Sequence, residues 1–153
     1  MSGSSSSPEV LVVSTTGEVA PRIQAACRGI ARVVNCSDFF AARQQLLERP
    51  PALLVTDLRL GAYNGLHLAY VVRTSGLPTR TVVFADPIDL ALAREAQAIG
   101  AFYEWPHRLP FAVRAYITAT LPPRDRRDPA AYDRRHEFRG GRRSADRADL
   151  FGT

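Results

Sequence analysis

Short apolar runs and helical stripes alternate along the chain. The runs are Val10-Leu11-Val12-Val13, Ala31 to Asn35, Ala52-Leu53-Leu54-Val55, Thr81-Val82-Val83-Phe84 and Ala101 to Trp105. Each ends on polar or turn residues, which predicts strands buried on both faces, as in parallel sheets. Between them the period becomes helical. One stripe is Val19, Ile23, Cys27 and Ile30; the next carries Phe39, Phe40, Leu46 and Leu47, with Ser37 as its N-cap, and ends before Pro50-Pro51. A third helix is expected from Leu66 to Arg73, broken at Ser75-Gly76-Leu77-Pro78. Asp86-Pro87 is a helix-start signal for the stripe Ile88, Leu92, Ala96 and Ile99, which Gly100 ends. After Pro110, Phe111, Val113, Ile117 and Leu121 mark a fifth helix, closed by Pro122-Pro123. Strict strand–helix alternation predicts a doubly wound, five-stranded parallel sheet in three α/β/α layers.

The pattern bounds the folded part at residues 9–123, with a Ser-rich, disordered lead-in over 1–8 and an Arg-rich, disordered tail over 124–153. The lead-in has neither the basic start nor the apolar centre of a signal peptide. At 153 residues the chain has room for one domain with a real core. No apolar run approaches the roughly 18–20 residues that cross a bilayer. The net charge is +5, and all 20 basic residues are arginine. Nine of them fall in 124–153 beside six acids, leaving the body only mildly basic and no strong case there for nucleic acid. Cys27 and Cys36 lack CxxC or Cys/His metal spacing, and the expectation is two reduced thiols of a cytoplasmic protein.

The stretch with the most chemical character is Pro51 to Gly65. Its apolar run stops on Thr56 and Asp57, and a loop with Gly61 and Asn64-Gly65 leads into the next helix. The carboxyl ends of strands are where open α/β sheets place chemistry or recognition. Asp57 is therefore the leading candidate.

This order of elements resembles the receiver domain of bacterial two-component response regulators, a flavodoxin-like fold. So do Leu54-Val55-Thr56-Asp57-Leu58-Arg59-Leu60 with Gly65 eight residues after the Asp, and Gly100-Ala101 with fifteen residues between it and the end of the fourth strand. The resemblance covers Val10 to Leu121. It implies that Asp57 is the phospho-acceptor of a histidine kinase, and that the fourth and fifth helices present the switching surface. A carboxylate attacking phosphorus needs a cation to screen the phosphate charge, and Mg²⁺ takes oxygen ligands, usually one or two carboxylates.

At the matching positions the chain departs from that pattern. Ser14 and Thr15 stand where the family has its acid pair, Ala85 where it has a hydroxyl, and His107 (or Arg108, one residue on) where it has a lysine. No lysine exists elsewhere to substitute. Asp86 is read as a helix cap, with metal ligation as the other option; His107 as a pH-dependent partner of Asp57 is a further one. Without a cation site, Asp57 reads as a rim carboxylate bonded to loop amides.

Other motifs carry little. Gly61-Ala62-Tyr63-Asn64-Gly65 lacks phosphate-loop spacing, and His67 and His136 have no partners at metal spacing. No nucleophile–base arrangement is indicated, so no enzyme activity and no cofactor are expected, Mg²⁺ being the open case. The expectation is a receiver-like signalling or adaptor domain with a degenerate phosphorylation site, working by protein–protein contact with a histidine kinase or another signalling protein. The resemblance places its partner surface at Glu104, Trp105, His107 and Arg108, with a homodimer through helices four and five as one use of it. Two alternatives stay open: a working phospho-acceptor at Asp57, and nucleic-acid binding by the tail, where Arg is interleaved with Tyr132 and Phe138.

Overall fold

The computed structural model describes residues 6–131. Its elements are β1 (Glu9–Val13), α1 (Val19–Ala26), β2 (Arg32–Cys36), α2 (Phe39–Glu48), β3 (Leu53–Asp57), β4 (Arg59–Leu60), β5 (Tyr63–Asn64), α3 (Leu66–Thr74), β6 (Arg80–Phe84), α4 (Leu90–Ala98), β7 (Phe102–Tyr103) and α5 (Leu109–Thr118). A single 3-10 turn, Pro106–Arg108, leads into α5. Five strands form one sheet in the order β2-β1-β3-β6-β7, every pairing parallel. This is the doubly wound fold that the alternation predicts.

The period of two along each strand explains why the apolar runs are continuous. Val10 and Val12 of β1 join Leu53 and Val55 of β3 in a core completed by Ile23 of α1 and Leu109 and Val113 of α5. Their neighbours Leu11, Val13 and Leu54 turn to the other face, onto Ala42 and Leu46 of α2 and Leu68 and Val72 of α3. A third cluster joins Val83 and Tyr103 to Ala69 of α3 and Ala93 and Ala96 of α4. A strand with helices on both sides can hold no polar alternation.

Element boundaries differ from the pattern at several points. Asp38, not Ser37, caps α2: its Oδ2 accepts from Ala41 N–H at 3.0 Å. Helix α4 opens on Asp89, whose Oδ1 accepts from Leu92 N–H at 3.1 Å. Asp86-Pro87, joined by a cis peptide, lies in the loop before it, and Ile88 is exposed. The distance from the sheet rim to the helix consumes residues 85–89, so the start signal is real for a turn and displaced for the helix. Phe111 is 80% exposed, because α5 begins at Leu109 and buries the Leu109–Val113 side, about 200° from position 111. Residues 59–64, expected as plain loop, make a two-stranded hairpin turning at Gly61, whose φ is +63°.

The expected disorder from residue 124 onward does not hold for 124–131. Asp125 and Pro129 are buried, and the segment lies across β7, α4 and α5. Buried partners on the body explain it: Glu104 is the counter-charge of Arg127, and the Tyr103 backbone N–H donates to Asp125. Tyr132, His136, Phe138 and the rest of 132–153 lie outside the described residues.

Candidate functional site

Asp57 ends β3 at the carboxyl edge of the sheet, where Leu58 N–H still bonds Phe84 O at 2.9 Å before the chain turns away. The Asp57 side chain accepts from Arg59 N–H at 2.9 Å, a local Asx turn that fixes one carboxylate oxygen. Thr56 Oγ1 donates to the Asp57 carbonyl at 3.0 Å. Gly65 brings the start of α3 against this turn, and its N–H reaches Leu58 O at 2.9 Å. A Cβ on Gly65 would collide with the Asp57 carbonyl oxygen and come within 2.9 Å of Thr56 Oγ1, so the Gly after the loop is a requirement of close approach.

A cavity of about 260 Å³ lies over Asp57. Glu18 and Arg22 of the α1 end, Thr16, Asp86 and Pro106 contribute to its wall. Burial pushes the Asp57 carboxyl above its ordinary range; the Arg59 amide and charge pull it down, and Asp86 adds to the rise. Burial therefore outweighs the support that the Arg59 amide and charge give the ionised carboxylate.

The residues expected at the rim are placed unevenly. Ser14 is buried, its Oγ accepting from Thr16 N–H at 3.2 Å and its N–H bonded to Cys36 O. Thr15 is exposed. Neither lines the cavity; Thr16 and Glu18, which the sequence reading passed over, do. Ala85 is buried in the α3–α4 cluster and brings no hydroxyl. His107 is exposed in the 3-10 turn, and Pro106 occupies the wall facing Asp57. Strand β7 stops at Tyr103, short of the expected Trp105, whose side chain joins the buried α3–α4 cluster, and the 3-10 turn starts at Pro106. The proline of that turn was the available signal.

As arranged here, the donor set does not form a Mg²⁺ site. One Asp57 oxygen is held by an amide, the Ser14 hydroxyl is turned into its own loop, and among the described residues no three His, Cys, Asp or Glu side chains stand close enough to share a metal ion. Cys27 and Cys36 are free.

The expected partner surface needs correction. Glu104 and Trp105 are 3% and 6% exposed, so neither presents itself to a partner; Arg108 does. Glu104 Oε2 accepts from Arg127 Nη1 at 3.0 Å and from Tyr116 OH at 3.4 Å. Trp105 packs edge-on against Tyr103, ring centroids 4.8 Å apart. Segment 124–131 covers both. Burial, partly offset by the Arg127 charge, pushes the Tyr116 hydroxyl up to about 12.

The fold is that of response-regulator receiver domains. A LuxR-family two-component response regulator from Aurantimonas sp. SI85-9A1 is similar at 23% identity, over 88% of this chain and 99% of that one, with a TM-score of 0.66. A LuxR-family DNA-binding response regulator from Staphylococcus aureus matches at 11% identity, over 72% and 95%, with a TM-score of 0.65. A response regulator from Thermotoga maritima matches at 20% identity, over 74% and 99%, with a TM-score of 0.63. No protein-family profile and no curated protein matches the sequence.

Among the described residues no helix is long and apolar enough to cross a membrane.

Proposed function

We propose that the chain is a receiver-fold signalling domain acting by protein–protein contact, with a phosphorylation pocket that has lost its cation site. The observation that carries this is the state of Asp57: an acceptor at the right place in the right fold, bonded to the Arg59 amide and raised by burial. By the resemblance, Ser14, Thr15, Ala85 and His107 stand where receiver domains carry their screening acids, hydroxyl and lysine, and Pro106 takes the cavity wall that His107 was expected to line. The partner is a histidine kinase or another signalling protein, and the docking surface is the α4–β7–α5 side, where Arg108 is exposed. A homodimer through the same side is a use of that surface.

Glu18 and Asp86 favour a second reading, since they share the cavity with Asp57 and a rebuilt cation site would draw on them. Magnesium titration separates the two. Amide shifts of Asp57 and Arg59 are expected to show no saturable change at millimolar Mg²⁺; a saturable change lost in Asp57→Asn would establish the rebuilt site instead.

A further inference from the structure

Among the described residues β7 is an edge strand of the sheet, so one side of its backbone pairs with no strand there. Glu104 N–H turns inward to Val83 O at 2.9 Å, which leaves the Tyr103 N–H and C=O facing outward. Side chains meet both. Tyr103 N–H donates to Asp125 Oδ2 at 3.2 Å, and Arg127 Nη2 donates to the Tyr103 carbonyl. Within the pair, Asp125 Oδ1 accepts from the Arg127 backbone N–H and from its Nε, each at 3.0 Å. Arg127 Nη1 then reaches the buried Glu104. An Asp-x-Arg pair stands where a sixth strand would.

The pocket is specific in its chemistry. Its carboxylate slot is an edge N–H, and its cation slot combines an edge carbonyl with Glu104. Only the planar guanidinium fork serves both acceptors at once; an ammonium is a point charge. The fit around the pair is open, with cavities of about 270 and 520 Å³ that both reach Glu104, Asp125 and Arg127.

We propose that the edge pocket at Tyr103 and Glu104 is a peptide-docking site that reads an Asp-x-Arg pair. Asp125 and Arg127 fill it in cis, and a partner segment carrying the same pair fills it in trans. Docking on a sheet edge is a general recognition mode; here a pair of side chains replaces the added strand. The tether holds the cis pair at high effective concentration, so the strap is a built-in competitor that sets the threshold for the partner. The same triplet recurs at Asp133-Arg134-Arg135, outside the described residues, and any test must silence it. The proposal gives ligand chemistry to the docking side assigned above and rests on that assignment. Peptide binding and Asp57 phosphorylation are separate readouts, so one can fail without the other.

Trp105, the single tryptophan of the chain, lines the pocket and reports on it. The full-length Arg127→Ala/Arg135→Ala protein is titrated with a synthetic peptide of residues 122–131. A saturable fluorescence change is expected. It weakens at least tenfold when Ala or Lys replaces the peptide's Arg127, and is lost when Glu104→Gln is added to the protein. A folded double variant with no saturable change, or one that binds the Ala peptide equally, overturns the proposal. If the double variant does not fold, the wild-type chain is titrated with a spin-labelled copy of the peptide in excess of the tether's millimolar effective concentration; broadening of the Tyr103 amide is expected, and none at that excess overturns the proposal.

Discussion

Arg127 closes on Glu104 at 3.0 Å across 23 positions of sequence, joining a half-exposed guanidinium to a carboxylate that is almost wholly buried. Removing the cation leaves that carboxylate facing little water. Arg127→Ala is expected to cost about 1–3 kcal/mol in urea unfolding, below the full cost of breaking a buried pair because the arginine is half solvated. In the Glu104→Gln background the loss is expected to shrink, and a double-mutant cycle measures by how much.

Asp125 gives this contact a pH dependence. Burial raises its carboxyl, but the Arg127 hydrogen bonds and charge outweigh burial and hold it below the ordinary range. A depressed folded value means stability that is present above the unfolded pKa of about 3.9 and lost as pH falls through the folded one. Asp125→Asn is therefore expected to remove part of the stability difference between neutral pH and about pH 3, read by thermal melts at both.

Asp57 has the opposite sign. A folded pKa raised by burial means that its favourable contribution is complete below the unfolded value and lost as pH rises through the folded one. Ionised Asp57 then costs the fold at neutral pH. Asp57→Asn is expected to melt higher than wild type at pH 7, with the gap closing below about pH 4. A lower melting temperature at pH 7 would mean that the bond to the Arg59 amide outweighs burial.

Gly65 is expected to tolerate nothing larger. Its Cβ direction meets the Asp57 carbonyl, which is backbone and cannot step aside. Gly65→Ala should cost roughly 2–4 kcal/mol and displace the Asp57 and Arg59 amide resonances, whereas Gly17→Ala, in open space, should be near neutral.

The helix caps test the boundaries found here. Asp38→Ala and Asp89→Ala should each cost about 1 kcal/mol, and Ser37→Ala and Asp86→Ala much less. These positions mark the limit of what the pattern could carry. A five-stranded parallel sheet, both its buried faces and Asp57 on the rim were legible, because apolar strand runs and period-3.6 stripes leave a mark at every residue; the strand order was not. Which of two neighbouring polar residues caps a helix was not, since it depends on how much chain the turn before it consumes. The same held at the site. Glu104-Trp105 reads as surface until Arg127, far along the chain, supplies the counter-charge. The pattern sets His107 on the rim; in the structure Pro106 of the same turn lines the cavity instead.

The account turns on whether Asp57 is a phospho-acceptor. Intact-mass spectrometry after incubation with a small phospho-donor and Mg²⁺, with Asp57→Ala as control, addresses it directly. No donor-dependent gain is expected in the folded wild-type chain. A gain of one phosphoryl group, absent from the Asp57→Ala protein, would contradict it and restore an ordinary phospho-switch with Glu18 and Asp86 as the first ligands to examine.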